Sequence, residues 1–376
     1  MQKKMDDGAA PVRVAMDAMG GDHGPVETVQ GAIAAAKATN AEIILVGDPD
    51  PVERELAKHD LSGLSVRVVP SEDKIRDDEH PVRAMRTKPN SSVAVATRLV
   101  KSGEADVMVS MGSTGGSMAS AVLTLGLMEG LERPCLGGPF LGLAPNTVLV
   151  DIGSNLDCRP GLLLSFASMG VTWARTYMGI ENPRVALLSV GSEAAKGNKQ
   201  VQEAYRLFQD SDMNFVGNVE GMDFFTEKAE VIICDGFVGN ILIKFTEGLG
   251  AAFAAFAKKR LSSALDEVTV SKFAAELVQL TNRTRTNGGP LFGVNGPVIL
   301  GHGSSRADEI LAAVNTSVRY VRLGLVEIMR ADLASMNQTA GNQTAGNQTA
   351  GNQNAGNKSA GSKKAGIKAA GSGAGR

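Results

Sequence analysis

Polar side chains that can handle anions recur in glycine-rich segments placed after short apolar runs. Glycine lets backbone N–H groups approach a ligand closely, and a helix N-terminus attracts negative charge. Each segment alone needs no function beyond turning the chain and capping a helix. Together they predict a cleft that binds an anionic or phosphate-bearing ligand. The segments span residues 17–24, 110–117, 151–155, 191–198, 235–240 and 301–305.

Four side chains in these segments are candidate ligands, each with a structural alternative. His23 and His302 are flanked by glycine, and either one serves a site or fills a capping or core position. Lys196 follows a predicted strand and is either an anion ligand or a solvated lysine. Asn240 either orients a substrate or caps a helix.

The common nucleotide, hydrolase and metal motifs are absent from the sequence. It contains no G-x-x-x-x-G-K-[ST], G-x-G-x-x-G, G-x-S-x-G or H-E-x-x-H. The four histidines are dispersed without metal-ligand spacing, so we expect no metal. Three widely separated cysteines suit a reducing compartment, and Cys158 and Cys234 are expected to be small buried residues instead of nucleophiles.

The elements that position these segments follow from alternating short apolar and longer amphipathic runs. This alternation predicts an α/β fold, a mostly parallel sheet sandwiched by helices, with ligands at the carboxyl ends of the strands. Strands are predicted at 12–16, 42–46, 66–69, 105–110, 147–152, 184–190, 214–216, 231–234 and 298–300. Helices are predicted at 26–38, from 51, and at 91–102, 161–178, 199–209, 239–260 and 304–328.

One uncharged run, residues 107–128, is long enough to span a bilayer. The segment GSTGGS at 112–117 interrupts it, which favours a strand, a glycine turn and a helix. We therefore predict no membrane-spanning segment there. The first twenty residues hold three aspartates and no apolar stretch, so a secretory signal is not expected.

The composition separates an acidic body from a basic tail. The 376 residues carry 38 Lys and Arg against 40 Asp and Glu, a net charge of −2, which argues against nucleic-acid binding. From residue 336 onward there are five basic residues and no acidic one, so the body holds 33 basic against 40 acidic residues, a net −7. The tail repeats Asn-Gln-Thr-Ala-Gly and has almost nothing to bury.

This composition predicts three regions. Residues 1–11 form a flexible N-terminus, residues 12–335 the catalytic domain, and residues 336–376 a disordered low-complexity tail. The tail is either a solvated extension or a weak electrostatic tether to an anionic surface.

The six segments, in their order, resemble the bacterial phosphate acyltransferases of phospholipid synthesis, the acyl-carrier-protein:phosphate transacylases. Two departures are small: Ser113-Thr114-Gly115-Gly116 stands where the family usually has Asn-Thr-Gly-Ala, and Ser154 stands where it usually has Ala. The tail has no counterpart in the family. The matching segments are MDAMGGD at 16–22, SMGSTG at 110–115, DIGSN at 151–155, VGSE and KGN within 190–198, CDGFVGN at 234–240 and HGSS at 302–305.

The resemblance implies an activity, a fold and partners. A long-chain acyl group passes from acyl carrier protein to inorganic phosphate, and the acyl phosphate then serves acylation of glycerol 3-phosphate by a membrane-bound acyltransferase. The implied fold is similar to the isocitrate/isopropylmalate dehydrogenases and phosphate acetyltransferases. A homodimer without metal or organic cofactor is also implied, cytoplasmic and in peripheral contact with the membrane.

The resemblance also implies residue roles. Lys196 supplies positive charge to phosphate or oxyanion, and Asn240 acts as an orienting donor; these two are the expected catalytic residues. The expected phosphate- or substrate-binding residues are Asp17, Gly20, Gly21, Asp22, His23, Gly112, Ser113, Thr114, Gly115, Asn155, Asn198, Asp235, His302, Ser304 and Ser305.

Docking of an acidic carrier on an acidic body requires a local basic patch. Two segments qualify, and each is equally a solvated helix face: residues 74–88, and residues 258–260 with Arg283 and Arg285. The helix before residue 258, with Leu249, Phe253 and Phe256, either touches a membrane or packs in the core or a dimer.

Three other functions compete with this one. A dehydrogenase of the related fold would need a metal site and a nucleotide loop, which the sequence lacks. A short-chain phosphate acetyltransferase would use coenzyme A thioesters. A non-enzymatic scaffold would bind acyl carrier without consuming its thioester.

Overall fold

The computed structural model describes residues 10–281 and 288–335. The strands are β1 Val12–Asp17, β2 Ala41–Gly47, β3 Val66–Pro70, β4 Val107–Ser110, β5 Cys135–Pro139, β6 Val148–Val150, β7 Val185–Leu188, β8 Phe215–Val219, β9 Val231–Ile233, β10 Gly289–Phe292 and β11 Val298–Leu300. The α-helices are α1 Val26–Ala38, α2 Pro49–Leu56, α3 Pro81–Thr87, α4 Ser92–Ser102, α5 Thr114–Thr124, α6 Pro160–Tyr177, α7 Lys199–Gln209, α8 Gly236–Leu261, α9 Glu267–Thr281 and α10 Ala307–Arg322. A 3₁₀ helix spans Gly221–Phe225, and residues 325–335 are helical.

All eleven strands form one sheet in the order β3-β2-β1-β4-β11-β10-β5-β6-β9-β7-β8. Seven of the ten neighbouring pairs are parallel. The β11–β10, β10–β5 and β5–β6 pairs are antiparallel. Because the direction reverses three times at the centre, the group β6-β9-β7-β8 runs opposite to the group β3-β2-β1-β4-β11.

The two groups end at the same level of the sheet. Ile299, next to the end of β11, lies opposite Pro290, and Val150, the last residue of β6, lies opposite Gly137. Pro290 and Gly137 are neighbours in the register of β10 with β5. The carboxyl ends of both groups therefore approach the centre from opposite directions, and the loops that follow them meet there.

Helices cover both faces of the sheet because strand side chains alternate between the faces. Val14 and Met16 belong to a core cluster with residues of α1, α6 and α10, whereas Ala15 belongs to a second cluster with residues of α4 and α5. Gly31 lets α1 and α10 pack closely, since a Cβ there would lie 2.6 Å from the Cβ of Ile310. The predicted mostly parallel sheet between helices is confirmed.

The chain's one tryptophan lies under the centre of the sheet. Trp173 of α6 is 1% exposed and stacks on Tyr177 with ring centroids 4.0 Å apart. Phe292 of β10 and Tyr320 of α10 lie 5.6 and 5.8 Å from it. This aromatic cluster joins helices that belong to the two strand groups.

Several elements differ from the sequence predictions. β5, β10 and α9 were not predicted, and residues 304–328 were predicted as one helix, but the chain turns at 323–324, where Gly324 has φ 61°. The predicted strand at 214–216 is longer, Phe215–Val219. Residues 107–128 divide into β4, a turn and α5, as predicted, so the uncharged run is no continuous span. The predictions for residues 1–9, 283, 285 and 336–376 lie outside the described residues.

Helices α8 and α9 form a hairpin with an unusual surface. Gly250 sits where they cross, and a Cβ there would overlap Thr281 Oγ1. Five phenylalanines on the hairpin are 44–65% exposed: Phe237, Phe245, Phe253, Phe256 and Phe273. The predicted alternative that Phe253 and Phe256 pack in the core of this chain is therefore wrong. By length and composition alone α8 could cross a membrane, and it is the one helix among residues 10–281 and 288–335 that meets this test.

Candidate active site

A cleft of about 390 Å³ opens where the two strand groups meet. Its walls come from the loops after β1, β4, β6 and β11, from the segment before α3 and from the first turns of α8. Among the residues predicted to form the site, five line this cleft: Asp22, Gly112, Thr114, Asn240 and His302.

The loop after β1 is held by a buried carboxylate. Asp17 accepts hydrogen bonds from the backbone N–H of Gly20 at 3.0 Å and from Ser110 Oγ at 2.8 Å. Burial raises the pKa of Asp17, although these hydrogen bonds oppose the shift. A Cβ on Gly20 would lie 2.6 Å from Asp17 Oδ2 and 2.7 Å from the nitrogen of Gly112, so only glycine fits there. Asp17, Gly20 and the β4 loop thus form one packed unit beneath the cleft.

The β1 and β11 loops are joined directly. The backbone N–H of Asp22 donates to Gly303 O at 2.7 Å, and Gly21 has φ 82°, which favours glycine. Glu27 of α1 accepts from the backbone N–H of Ala307 at 2.9 Å, and this hydrogen bond is the main cause of the lowered pKa of Glu27. The loop that carries His302 is therefore fixed at both of its ends.

A second buried carboxylate organises the loop after β6. Asp151 accepts from the backbone N–H of Gly153, Ser154 and Asn155 at 3.1, 3.0 and 2.7 Å. Desolvation raises its pKa against these hydrogen bonds. Gly153 lies close to α8, since a Cβ there would be 3.3 Å from the Cβ of Asn240. The arrangement repeats that of Asp17 in the other strand group.

Four polar side chains form a connected row across the cleft. His302 Nδ1 lies 2.9 Å from Ser304 Oγ, and His302 Nε2 lies 3.0 Å from Lys244 Nζ. Lys244 also donates to Glu247 Oε2 at 3.1 Å. Since an ammonium can only donate, Nε2 of the histidine accepts from the lysine. The row connects α8, which follows β9, with the loop after β11.

Other predicted residues occupy supporting positions. Ser113, Asn198 and Asp235 cap the N-termini of α5, α7 and α8 with their side chains. Asn155 is buried and donates to Pro134 O and Asp151 Oδ2 at 2.8 and 2.9 Å. Ser305 is 3% exposed. None of these five is among the described residues that line the cleft.

Lys196 is exposed on the loop after β7 and lies outside the lining of the cleft. That loop leaves the sheet at the edge where β6 and β9 also end, because the three strands run parallel in one group. Gly115 packs against Pro81, since a Cβ on this glycine would lie 2.7 Å from the proline ring. His23 is half-buried and also lies outside the lining.

Three charged residues of the cleft were not predicted from the sequence, namely Asp77, Lys244 and Glu247. Lys244 and Glu247 follow Asn240 at helical spacings of four and seven, so they share its face of α8. This helical spacing from Asn240 could have indicated both residues in the sequence. The many apolar residues of α8 around them made the spacing inconspicuous.

The cysteines are free and buried, as expected for Cys158 and Cys234. Burial raises the pKa of Cys158 to about 12 and that of Cys234 well above its ordinary value, so neither is a ready thiolate. Among the residues that the structure describes, no group of three or more His, Cys, Asp or Glu side chains is placed to hold a metal ion. The arrangement suits binding and orienting an anion by backbone N–H groups and an ammonium.

Comparison of the chain with known proteins agrees with this architecture. The family of fatty acid synthesis proteins matches residues 12–328. The phosphate acyltransferase of Desulfitobacterium hafniense (strain DSM 10664 / DCB-2) is 39% identical over 327 residues, covering 86% of this chain and 98% of its own. The phosphate acyltransferase of Moorella thermoacetica is 44% identical over 319 residues, covering 84% and 94%.

Solved structures show the same fold at low sequence identity. A phosphotransacetylase from Streptococcus pyogenes superimposes with a TM-score of 0.53 at 18% identity, covering 86% of this chain and 96% of its own. A 4-hydroxythreonine-4-phosphate dehydrogenase from Klebsiella pneumoniae gives 0.50 at 11% identity, covering 83% and 100%. The expected likeness to phosphate acetyltransferase and dehydrogenase folds is confirmed. With relatives this similar along nearly their whole length, the chain belongs to the phosphate acyltransferases, acyltransferases of the fatty acid synthesis protein family.

Proposed function

We propose that the enzyme transfers a long-chain fatty acyl group from acyl carrier protein to inorganic phosphate. The acyl phosphate then serves acylation of glycerol 3-phosphate by a membrane-bound acyltransferase, and the enzyme works in the cytoplasm. One observation carries this proposal. Both strand groups meet at one cleft, and glycine-rich loops, Asn240 and Lys244 line it.

The chemistry requires positioning more than an activated protein nucleophile. A phosphate oxygen attacks the thioester carbonyl carbon, the C–S bond breaks, and the proton of hydrogen phosphate ends on the carrier thiol. Charge is conserved, because the hydrogen phosphate dianion becomes an acyl phosphate dianion and the thiol is neutral. Holding the reactants in line contributes up to ~7–11 kcal/mol, and one oriented oxyanion donor about 2.7–4 kcal/mol.

Asn240 and Lys196 have separate roles in this proposal. Asn240 lines the cleft at the start of α8 and orients the carbonyl oxygen. Lys196 supplies charge to phosphate or oxyanion from the loop after β7. Asp17 at the end of β1, and Asp22 with His23 in the loop that follows, support the cleft. No metal or organic cofactor takes part.

The carrier would dock on local basic residues. In segment 74–88 the charge is partly neutralised, because Lys88 lies 3.0 Å from Glu79 and 3.4 Å from Asp73. Lys258 and Lys259, in the last turn of α8, form no ion pair with any described residue. We therefore favour the end of α8 as the docking patch.

The α8–α9 hairpin supports a homodimer with peripheral contact to the membrane. Five of its phenylalanines are 44–65% exposed, and exposed apolar side chains in this number on one hairpin are typical of protein or membrane contacts. Phe253 and Phe256 are 48% and 61% exposed, so a partner that covered them would bury apolar area.

The decisive experiment incubates purified enzyme with palmitoyl carrier and phosphate and traps acyl phosphate with hydroxylamine. We expect hydroxamate that depends on both substrates, and faster with the carrier thioester than with palmitoyl- or acetyl-coenzyme A. A better rate with coenzyme A would favour a phosphate acetyltransferase. Carrier binding without hydroxamate would leave only a scaffold.

A lysine variant in the same assay tests the catalytic assignment. Lys196→Ala should lower the rate about 10²-fold or more if it loses transition-state charge. Lys199→Ala is the matched control, because Lys199 is exposed on the next helix and pairs only loosely with Glu203 at 3.7 Å. An unchanged rate in a folded Lys196→Ala protein would refute the assignment.

A further inference from the structure

We infer that Lys244 is a phosphate-binding residue of this enzyme, held in place by His302 and Glu247. The inference rests on the proposed phosphate-dependent reaction and adds a residue to it. Lys244 follows Asn240 by four residues on α8, about one helical turn, and both residues line the cleft.

The charge of the cleft requires such a residue. Asp22, Asp77 and Glu247 line it, and a phosphate dianion would meet three carboxylates there. Among the described residues of the lining, Lys244 is the one lysine or arginine. Opposite charges within about 4 Å attract strongly where water is partly excluded, so an ammonium here decides whether the anion stays.

The geometry leaves Lys244 able to bind. Its ammonium has three N–H donors. One points to His302 Nε2 at 3.0 Å and one to Glu247 Oε2 at 3.1 Å, which leaves the third for a ligand. The side chain is 55% exposed, so a ligand can reach it. Glu247, 18% exposed, orients the ammonium from one helical turn away.

The rest of the cleft completes a phosphate cradle around this ammonium. Thr114 lines the same cleft as the first residue of α5, where backbone N–H groups have no partner within the helix. Gly112 lines the cleft just before this helix, and its own N–H donates to Ser110 Oγ at 3.0 Å. Lys244 comes from the strand group of β9 and the α5 terminus from that of β4. An anion between them contacts both groups. His302 and Ser304 act as positioning residues. His302 contacts Lys244 directly, and Ser304 contacts His302.

The test measures phosphate directly as well as turnover. Lys244→Met should raise the KM for phosphate about tenfold or more, which is the loss of one charge-assisted hydrogen bond. The KM for the acyl carrier should stay within about twofold. Lys244→Arg should restore part of the phosphate affinity, since it keeps the charge.

Titration of inorganic phosphate by calorimetry, without acyl donor, should show the same weakening in Lys244→Met. Lys101→Met is the control, because Lys101 is exposed at the end of α4, away from the cleft lining. Wild-type phosphate affinity in a folded Lys244→Met protein would overturn the inference. A substitution that lowered only the thermal stability, with phosphate affinity unchanged, would overturn it as well. Because calorimetry needs no turnover, a wild-type enzyme that binds phosphate but forms no hydroxamate would refute the proposed function and leave this inference standing.

Discussion

At the residue scale, two buried aspartates build the site without facing the substrate. Asp17 ends β1 and Asp151 follows β6, and each accepts several hydrogen bonds from the loop beyond it or from its neighbour strand. Both are at most 3% exposed. Those hydrogen bonds offset part of the cost of burying each carboxylate, which loses its solvation and fixes the shape of a loop.

Replacement of one carboxylate oxygen should therefore loosen the loop. Asp151→Asn keeps the size but substitutes a donor for an acceptor, and we expect a loss of about 1–3 kcal/mol in the free energy of unfolding. Urea denaturation measures it, with Asp157→Asn as the exposed control in the same loop. An equal effect of both substitutions would contradict the role assigned to Asp151.

The pH dependence of this difference has a definite sign. The folded protein raises the pKa of Asp151, so it binds the proton more tightly than the unfolded chain. The resulting stabilisation is full below the ordinary pKa of an aspartate and is lost as pH rises through the raised value. The stability advantage of the wild type over Asp151→Asn should shrink across that interval, which urea denaturation at several pH values measures.

Glycine-flanked polar loops made part of the lining of the cleft predictable. Asp22 and His302 stand in such loops, and both line the cleft. Lys244 and Glu247 did not stand out because a lysine and a glutamate in a long helix are ordinary surface residues. The fold brings them to the cleft, because β9 and β11 end at the same level of the sheet and α8 follows β9.

At the element scale, the strands that resisted prediction are the central ones. β5 reads Cys-Leu-Gly-Gly-Pro and β10 reads Gly-Pro-Leu-Phe, compositions typical of turns. Packing explains one of these glycines, since a Cβ on Gly137 would lie 2.6 Å from Phe292. By contrast, β1 and β2 are mostly apolar and are followed by helices, so local pattern and burial agree.

The crossing of α8 and α9 provides an element-scale prediction. Gly250→Leu should force the helices apart at Thr281 and lower the free energy of unfolding by about 1–3 kcal/mol. Gly248→Leu is the control on the same helix, because a Cβ there meets nothing within 4 Å. Both variants gain the same helix propensity, so the difference isolates the crossing.

Thermal melting measures that difference, and sedimentation reports the oligomeric state. If the hairpin forms the homodimer contact, Gly250→Leu should also weaken association. Equal melting temperatures for the two variants would show that the hairpin has room to adjust.

At the scale of the whole molecule, net charge and site charge are different properties. The body outside the tail is net −7, yet the cleft that we propose binds phosphate is lined by Lys244 and by the start of α5. In the proposed reaction, phosphate is bound by short contacts inside the cleft. The acyl carrier would be attracted over longer distances by exposed charges, which salt screens within about 10 Å. Overall composition therefore predicted neither interaction.

Ionic strength should separate the two interactions. Raising sodium chloride from about 50 to 500 mM should raise the KM for the acyl carrier several-fold and that for phosphate by less than about twofold. Steady-state kinetics with one substrate saturating measures each value. A larger effect on phosphate would mean that long-range attraction, not direct contact, captures it.

The buried tryptophan under the centre of the sheet has a practical consequence. Trp173 is the chain's only indole, and its neighbours Phe292 and Tyr320 lie on β10 and α10. Its fluorescence emission thus reports from the junction of the two strand groups and from nowhere else. A red shift that preceded the loss of helical circular dichroism would reveal that this junction parts before the helices melt.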